Sequence, residues 1–491
     1  MRIVIIGNGV AGMEAALTVR EREPTWDITL ISEESDHFFS RTALMWVATG
    51  QLSHACIEPL ERDVYERMNF TRVRARAVGI DIAARTVTLA GGLDPVPYDR
   101  LLIACGSRPR PGPWPGSDLP GVGAFVTHQD LGWLEEELHG GPGEGGPAPR
   151  TELHMEATTD DSPYRIRPTT RAARGGAPKH PAVVGGGLIG IEAVEVMAAA
   201  GIHPRFLIRE EWFWPLAIDK TESTWIANRM QEHGVLVQLQ ENLEEIRGAD
   251  RIESLKTDKG EYDCDLLVIA IGVIPNTDWL KDSGVALDNR GGLIVDDQLR
   301  VLPADPEGTY RDNAAAKDLG IFAAGDCASV RWFDGSQRPE QLWYTARDQG
   351  RIAGRGLLGD TAQRYARGHW YNSAKLFDIE YTTVGLVNMN VQGEENWFFE
   401  ERSAVRSTSR IVVAEGRVVG FNFLGRRWDH TVLLRWIEEH RSLPWVLAHL
   451  QEANFDTEFV PPLVIPQSAQ TQSLRGPAYS LVRQPLTPPA V

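Results

Sequence analysis

Two glycine-rich turns constrain the fold of this 491-residue chain more than any other feature. Each turn has the spacing G-x-G-x-x-G and lies between a short apolar run and a stretch of good helix formers. The first spans residues 7–12 (GNGVAG) and the second spans residues 185–190 (GGGLIG). Because the same β-turn-α-β pattern occurs twice, the sequence predicts an α/β protein with two dinucleotide-binding modules.

The first module has a predicted strand at 2–6, a helix at 11–22 and a second strand at 27–32. Glycines at its turn permit a tight bend and let the backbone approach a pyrophosphate at the helix N-terminus. Glu33 follows Gly12 by 21 residues, where an acid is expected to hold a ribose. The residues predicted to bind this ligand are Gly7, Gly9, Val10, Ala11, Gly12 and Glu33.

The second module has predicted strands at 182–184 and 205–208 and a helix at 191–200. Glu210 lies 20 residues after the last glycine of the turn, which favours NADH, whereas Arg209 stands nearest the strand end and suits the 2′-phosphate of NADPH. The sequence leaves this choice open. The turn residues predicted to bind the ligand are Gly185, Gly187, Leu188, Ile189 and Gly190.

A third motif at residues 320–326 (GIFAAGD) is a predicted buried strand that ends in Gly325 and Asp326. The glycine allows a close backbone approach, and the aspartate can accept hydrogen bonds from a polyol. The same aspartate could instead cap the following turn, and the residues alone do not decide between these two roles.

Charge and composition exclude several other classes of protein. The net charge of −17 disfavours a nucleic-acid partner, because an acidic surface repels phosphate. No run reaches the ~20 apolar residues of a membrane helix, and the short N-terminal run is interpreted as a buried strand, not a signal peptide. The four cysteines have no metal-site or disulfide spacing, so we expect no metal, isolated reduced thiols and a cytoplasmic location.

Five segments in order resemble the two-dinucleotide-domain flavoproteins of the pyridine-nucleotide–disulfide oxidoreductase superfamily. They are residues 7–12 with Glu33, 104–109 (ACGSRP), 185–190, 270–276 (AIGVIPN) and 320–326. The resemblance covers residues 1 to about 360, and residues 366–390 resemble the start of the small C-terminal interface domain of such proteins. It implies two Rossmann-like domains, of which the FAD domain is interrupted by the NAD(P) domain, and a smaller α+β interface domain.

The resemblance also implies the domain boundaries. The FAD-binding domain is expected at residues 1–125 and 295–362, and the NAD(P)-binding domain at 126–294. A low-complexity insertion at 139–181, rich in Gly, Pro and Thr, is expected to form a loop or to be partly disordered. The interface domain is expected at 366–465 and a flexible tail at 466–491.

Site residues are carried over from the family by position. In such proteins the first glycine-rich turn holds the ADP half of FAD, and the second holds NAD(P)H. Arg41 matches an arginine that approaches the FAD pyrophosphate, and Glu192 matches a glutamate near the nicotinamide. In some relatives a lysine pairs with this glutamate, but residues 41–46 of this chain contain no lysine. The remaining residues are Ala104, Gly106, Gly325 and Asp326 for FAD, and Gly272 with Arg209 or Glu210 for NAD(P)H.

The segment at residues 36–46, where single-cysteine relatives place their redox sulfur, contains no cysteine. The chain therefore resembles thiol-independent members such as ferredoxin and rubredoxin reductases, and the resemblance implies transfer of electrons from NAD(P)H through FAD to a small redox protein, a quinone or another small molecule. An alternative is a slow-turnover, apoptosis-inducing-factor-like signalling or structural protein. Trp436 and Trp445 could mark a membrane-surface site, although such a stripe more often forms a core. The oligomeric state stays open, with a homodimer among the options.

Overall fold

The structure is a computed structural model that describes residues 1–139, 178–304, 319–332, 335–360, 362–388, 393–402, 406–455 and 463. Most of the predicted insertion at 139–181 and all of the predicted tail at 466–491 lie outside these residues. Both therefore stay predictions.

The N-terminal part alternates strands and helices. Strand β2 pairs in parallel with β1 and β3, and β1 pairs in parallel with β7, which confirms the first predicted β-turn-α-β unit. The strands are β1 Arg2–Ile6, β2 Asp27–Ser32, β3 Phe70–Arg74, β4 Ala77–Asp81, β5 Thr86–Leu89, β6 Val96–Pro97, β7 Arg100–Ile103, β8 Ser107–Pro109 and β9 Val122–Gly123. The helices are α1 Val10–Arg22, α2 Leu44–Ala48, α3 Val64–Arg67 and α4 His128–His139.

The middle part contains the second predicted β-turn-α-β pattern. Strand β10 pairs in parallel with β16, which pairs in parallel with β9, and β11 pairs in parallel with β12. The strands are β10 Pro181–Val184, β11 Arg205–Ile208, β12 Leu236–Leu239, β13 Leu243–Arg247, β14 Ser254–Thr257, β15 Glu261–Asp263, β16 Leu266–Ile269, β17 Val273–Pro275 and β18 Leu293–Ile294. The helices are α5 Leu188–Ala199 and α6 Lys220–Glu232.

The third motif returns the chain to the first sheet. Its elements are β19 Ile321–Ala323, β20 Ala328–Arg331, β21 Gln337–Pro339 and helix α7 Trp343–Leu358. Strand β19 pairs in parallel with β7, so the first sheet has the order β19-β7-β1-β2-β3. The central strands are buried because they carry almost only apolar residues, as expected for a parallel sheet covered on both faces.

The C-terminal part is an antiparallel sheet with two helices. Its order is β22-β23-β26-β25-β24, and Trp436 on the first helix is fully buried in the core of this part. Trp445 is partly buried and packs against the same core, so the two tryptophans belong to a core, as the more frequent role of such a stripe predicts. The elements are β22 Tyr371–Leu376, β23 Ile379–Gly385, β24 Glu395–Arg402, β25 Arg406–Ala414, β26 Arg417–Leu424, α8 His430–Glu438 and α9 Leu443–His449.

The described residues group into two compact units. One comprises the described residues of Met1–Gly185, Val196–Pro204 and Leu243–Arg367, and the other those of Gly186–Glu195, Arg205–Asn242 and Gly368–Val491. Within the second unit, a buried ion pair between Arg410 of β25 and Glu222 of α6, at 3.0 Å, joins the antiparallel sheet to a helix of the middle part. The predicted three-domain boundaries stay a prediction.

Candidate functional site

The first glycine-rich turn is shaped by two backbone approaches that only glycine allows. Gly7 has a φ of +115°, and a Cβ placed there would lie 2.0 Å from the carbonyl oxygen of Ala104. A Cβ on Gly12 would lie 2.0 Å from the carbonyl oxygen of Gly7. A Cβ on Gly9, in contrast, would meet no atom within 4 Å, so the space in front of this residue is open to a ligand.

Helix α1 begins at Val10 directly behind this open space. Gly9 is its N-cap residue and offers no side-chain oxygen to the first N–H groups, and the first turn contains no acidic residue. Uncapped N–H groups and the helix dipole together favour an anion such as a pyrophosphate. Val10 and Ala11 thus lie where the sequence predicts the phosphates, and the turn fits the ADP half of FAD.

A hydrogen-bond chain that the sequence did not indicate supports the turn. The buried Asn8 accepts a hydrogen bond from the hydroxyl of Tyr65 at 3.0 Å. The same hydroxyl accepts a hydrogen bond from the backbone N–H of Phe38 at 2.7 Å. The chain connects the glycine-rich turn to the segment that leads to Arg41.

The two glutamates after β2 have different surroundings. Glu33 is half exposed, and its nearest cation is Arg76 at 3.7 Å, so its carboxylate is available to a ribose. Glu34 instead holds the guanidinium of Arg41 by two hydrogen bonds and accepts a third from the backbone N–H of His128. Burial opposes ionisation of Glu34, but the bonds and charge of Arg41 lower its pKa below the ordinary value.

Arg41 also donates to the carbonyl oxygen of Val126 at 2.6 Å, and its guanidinium lies 5.2 Å from the ring centroid of Phe39. Its side chain is 40 % exposed, so a face of the guanidinium stays accessible. Arg41 is therefore a positioned cation beside the first module, as a role at the pyrophosphate requires, and this role stays a prediction.

The third motif meets the ACGSRP segment at the ends of two neighbouring strands. Ser107 donates to the carboxylate of Asp326 at 2.6 Å. Burial raises the pKa of Asp326, while the bond from Ser107 and the charge of Arg41 act in the opposite direction. Gly106 comes directly before Ser107 and Ala104 lies two residues further back, and Gly106 has a φ of +66° with open space around it. The structure thus brings the segment with Ala104 and Gly106 next to Asp326, which lies about 220 residues later in the sequence.

Gln349 of α7 is a further residue that the sequence did not indicate. It is fully buried, and its side-chain oxygen accepts the backbone N–H of Gly325 at 2.8 Å. Gly325 has a φ of +80°, and a Cβ there would lie 3.2 Å from the Cβ of Ala11 in α1. Gln349 therefore supports the turn that carries Asp326. In the sequence, the only sign of this role is an amide side chain in the middle of a predicted helix.

The second glycine-rich turn repeats the geometry of the first. Gly185 has a φ of +117°, and a Cβ there would lie 2.3 Å from the carbonyl oxygen of Ala270. This matches the close approach of Gly7 to the carbonyl oxygen of Ala104. Gly187 has open space within 4 Å, as Gly9 does. Gly272 has a φ of +98° and corresponds to Gly106. The structure thus reproduces at the second turn the cradle found at the first.

The residues after this turn are placed as predicted along α5 and β11. Helix α5 begins at Leu188, so Leu188 and Ile189 form its first turn and Gly190 is buried within it. Arg209 directly follows β11, has a 76 % exposed side chain and pairs with Glu210 at 3.0 Å. Both candidate ribose-binding residues are therefore present at the strand end, and they contact each other.

Glu192 lies in the second turn of α5 and is partly buried. Burial and the nearby charge of Glu195 raise the pKa of Glu192 to about 7. Glu195 is buried, accepts the backbone N–H of Phe377 at 2.9 Å and has a pKa also raised to about 7, mainly by burial. Glu192 is thus not a solvated surface glutamate, and it can hold a proton near neutral pH.

The family model for pyridine nucleotide-disulphide oxidoreductases matches residues 1–350. The chain belongs to this family. It is an FAD-dependent oxidoreductase that uses NADH or NADPH, and its α/β architecture with Rossmann-like parallel sheets agrees with this membership.

Relatives in this family have low sequence identity to this chain but align with most of its length. A nitrite reductase [NAD(P)H] of Bacillus subtilis (strain 168) is 25 % identical over 90 % of this chain, which spans only 48 % of that protein. The ferredoxin reductase component of a chlorobenzene dioxygenase from Cupriavidus sp. (strain PS12) is 26 % identical, covering 80 % of each chain. The solved covalent putidaredoxin reductase–putidaredoxin complex has a TM-score of 0.69 at 18 % identity, covering 89 % of this chain and 93 % of that chain, which supports the fold. The two enzymes favour the oxidoreductase over the slow-turnover alternative.

The four cysteines of this oxidoreductase are free thiols. Cys56 is exposed, and Cys264 and Cys327 are buried. Cys105 is partly buried and its thiol donates to the carbonyl oxygen of Asn276 at 3.2 Å, whereas the thiol of Cys327 donates to that of Ile103 at 3.4 Å.

Metal sites and membrane-spanning helices are both absent from the described residues. Within them, no group of three or more His, Cys, Asp or Glu side chains is arranged to hold a metal ion. No helix in the described ranges combines the length and the apolar character needed to cross a membrane.

Proposed function

We propose that the first glycine-rich turn, Glu33, Arg41 and Asp326 hold FAD, and that the second turn with Arg209 or Glu210 holds NAD(P)H. The observation that carries this assignment is the open space in front of Gly9 and Gly187, each at the start of a helix with room for a phosphate. When bound, FAD supplies the two-electron redox chemistry, and the protein supplies binding, orientation and charge.

The protein residues have distinct tasks in this proposal. The N-terminus of α1 and Arg41 place positive charge beside the pyrophosphate. Asp326, held by Ser107 and by the turn that Gln349 supports, accepts hydrogen bonds from the ribityl chain. In this proposal Glu192 holds or releases a proton near the nicotinamide, because burial and the charge of Glu195 raise its pKa to about 7.

We further propose that electrons leave the flavin for an external acceptor without passing through a protein thiol. Residues 36–46 contain no cysteine. The cation in this segment, Arg41, is bound to Glu34. A redox thiol must be accessible, and Cys327 is fully buried. The four thiols also support a cytoplasmic location, because reducing compartments keep cysteines unpaired.

A small electron-transfer protein is the acceptor that we favour. The chlorobenzene dioxygenase relative is a ferredoxin reductase component, and the putidaredoxin reductase was solved bound to its redox partner. The other acceptors are a quinone or another small molecule, and these are outcomes of the test below.

The test is anaerobic stopped-flow reduction of the flavin by NADH and by NADPH, followed by mixing of the reduced enzyme with ferredoxin, rubredoxin, a quinone, dioxygen or ferricyanide. Fast reoxidation by ferredoxin or rubredoxin supports the proposal. Fast reoxidation only by a quinone or by dioxygen would replace the acceptor. Slow turnover with ferricyanide and a long-lived charge-transfer complex would instead favour the signalling protein.

Nicotinamide preference is tested with two matched variants at the strand end. If Arg209 holds a 2′-phosphate, Arg209→Gln lowers kcat/KM for NADPH and leaves NADH nearly unaffected. If Glu210 holds the ribose, Glu210→Gln lowers kcat/KM for NADH instead. Each change is expected to be about 10- to 150-fold, since one hydrogen bond to a charged group is worth ~1.5–3 kcal/mol.

A further inference from the structure

The loop at residues 210–219 lies between β11 and α6 and joins two parts of the proposed NAD(P)H site. It directly follows Arg209 and begins with Glu210, which are the two candidate ribose-binding residues. In the middle of the loop, the backbone N–H of Trp214 donates to the carbonyl oxygen of Gly186 at 3.1 Å. Because Gly186 belongs to the second glycine-rich turn, this hydrogen bond connects the loop to the turn.

The turn and the end of β11 are also packed closely together. A Cβ on Gly186 would lie 2.8 Å from the Cγ2 atom of Ile208, the last residue of β11. The carbonyl oxygen of Glu210 accepts the backbone N–H of Gln240 at 3.0 Å, which fixes the first residue of the loop. Since close-packed interiors transmit strain, a displacement of the loop changes the position of the turn and of the strand end.

The loop has a conformation that needs support from its surroundings. Trp214 has a φ of +48°, in the left-handed region that a bulky side chain seldom adopts. Its carbonyl oxygen accepts the backbone N–H groups of Ala217 at 3.2 Å and Ile218 at 3.1 Å, and its ring lies 5.3 Å from the ring of Tyr381 in β23. A conformation of this kind persists only where the surrounding structure holds it.

This support comes from Arg410 in β25 of the C-terminal part. Arg410 is buried, and its Nη2 donates to the carbonyl oxygen of Ala217 at 3.0 Å. Its Nη1 donates to the side-chain oxygen of Asn388 at 2.6 Å. The side-chain nitrogen of Asn388 in turn donates to the carbonyl oxygen of Pro215 at 3.2 Å. The loop is thus held at two carbonyl groups, once directly and once through Asn388.

Glu222 of α6 holds the guanidinium of Arg410 in this position. Its fully buried carboxylate accepts from Nη2 at 3.0 Å and from Nε at 3.4 Å. The same carboxylate accepts the backbone N–H of Asp219, which caps α6 at the end of the loop. Arg410 therefore does more than pair with a helix carboxylate, because its planar fork also reaches the loop itself.

We propose that Arg410 and Asn388 are positioning residues for the NAD(P)H site. They fix loop 210–219 and, through the hydrogen bond from Trp214 to Gly186, the second glycine-rich turn and the end of β11. The proposal rests on the proposed binding of NAD(P)H at this turn. It gives the C-terminal part a task in nicotinamide nucleotide binding, although neither residue touches the nucleotide.

The test measures saturation by the nucleotide separately from the rate of flavin reduction. FAD-loaded wild type and variants are mixed anaerobically with increasing NADH or NADPH in a stopped-flow instrument, which gives the half-saturating concentration and the limiting reduction rate. Arg410→Lys keeps a positive charge beside Glu222 but loses the fork. Asn388→Gly loses both side-chain bonds and adopts the φ of +56° without strain.

Both variants should raise the half-saturating concentration about 2- to 30-fold, the range found for residues that act on a site through others. The limiting reduction rate and the FAD content should stay near those of wild type, because the FAD site is unchanged. A role in stability alone would lower the Tm without this shift in saturation. If Arg410→Lys did not fold, Asn388→Gly would decide the question by the same measurement.

Arg426→Lys is the matched control. Arg426 is as buried as Arg410 and follows β26, and its Nε and Nη2 donate to Glu401 of β24 within the same sheet. This variant should saturate with NAD(P)H as wild type does. The proposal would be overturned if Arg410→Lys and Asn388→Gly saturated at wild-type concentrations, or if Arg426→Lys raised the half-saturating concentration as much as they do.

Gly187→Val separates this proposal from the site assignment on which it rests. If Gly187→Val left saturation unchanged, NAD(P)H would bind elsewhere, and the site assignment and the positioning role would both be wrong. If Gly187→Val raised the half-saturating concentration while Arg410→Lys and Asn388→Gly did not, only the positioning role would be wrong. An increase in all three variants, with Arg426→Lys unchanged, is the result that we expect.

Discussion

Helix α7 packs against helix α1 through glycines, and Gly350 provides the sharpest test of the predicted FAD cradle. A Cβ on Gly350 would lie 2.5 Å from the carbonyl oxygen of Ala11 and 3.0 Å from its Cα. Both are backbone atoms in the first turn of α1, and they cannot rotate away as a side chain would. Gly350→Ala must therefore push α7 away from the turn predicted to hold the pyrophosphate.

Two opposing effects set the size of this change. Replacing a helical glycine by alanine without a clash stabilises by ~0.5–1 kcal/mol, because the unfolded chain loses freedom. Overpacking a tight contact costs ~1–3 kcal/mol, and a backbone contact at 2.5 Å belongs at the upper end. We expect Gly350→Ala to destabilise by about 1–2 kcal/mol, which corresponds to a fall in Tm of ~2–8 °C.

The matched control is Gly132→Ala in α4. Gly132 is also inside a helix, but a Cβ there would meet no atom within 4 Å, so this variant should be as stable as wild type or more stable. The assay is thermal release of FAD followed by flavin fluorescence, together with the flavin content of the purified proteins. If Gly350→Ala matched Gly132→Ala in both measurements, the close α1–α7 packing would not support the FAD site and our reasoning would be wrong.

Three further predictions use other parts of the molecule. Gly9→Val and Gly187→Val each add a side chain to open space, so both variants should fold. The Gly9 variant should lose FAD, whereas the Gly187 variant should keep FAD but show slow flavin reduction by NAD(P)H. The reverse pattern would exchange the two sites. Because the pKa of Glu192 is raised to about 7, the free energy of unfolding of wild type should fall as pH rises from about 5 to about 7. Glu192→Gln should be more stable than wild type at pH 8 but not at pH 5. Denaturant titrations at the two pH values measure this difference. Cys56→Ser and wild type should each take up two electrons per flavin in anaerobic titration without a thiolate–flavin band, and uptake of four electrons by wild type alone would place a redox thiol at Cys56.

Local features could be predicted from the sequence because they depend on short-range geometry. The spacing of glycines in residues 7–12 and 185–190 specifies turns that tolerate positive φ and close backbone contact, and the structure contains both. The helices predicted at 11–22 and 191–200 are found at Val10–Arg22 and Leu188–Ala199. The family followed from the order of five such motifs, and it is confirmed.

Contacts between distant segments could not be predicted in this way. Ser107 lies 219 residues before Asp326 and yet donates to its carboxylate, and Gln349 supports Gly325 from a different helix. The sequence pattern pointed to Glu33 and did not show that Glu34 holds Arg41.

By itself, the sequence determined the two dinucleotide modules, because a glycine-rich turn between a strand and a helix encodes its own backbone geometry. Only the tertiary structure decided which side chains face each other where parallel strands end. The bond from Ser107 to Asp326 shows the difference, since nothing in either local segment marks a partner 219 residues away. Such a contact depends on the register of β7 and β19, and that register is set by the packing of the whole sheet.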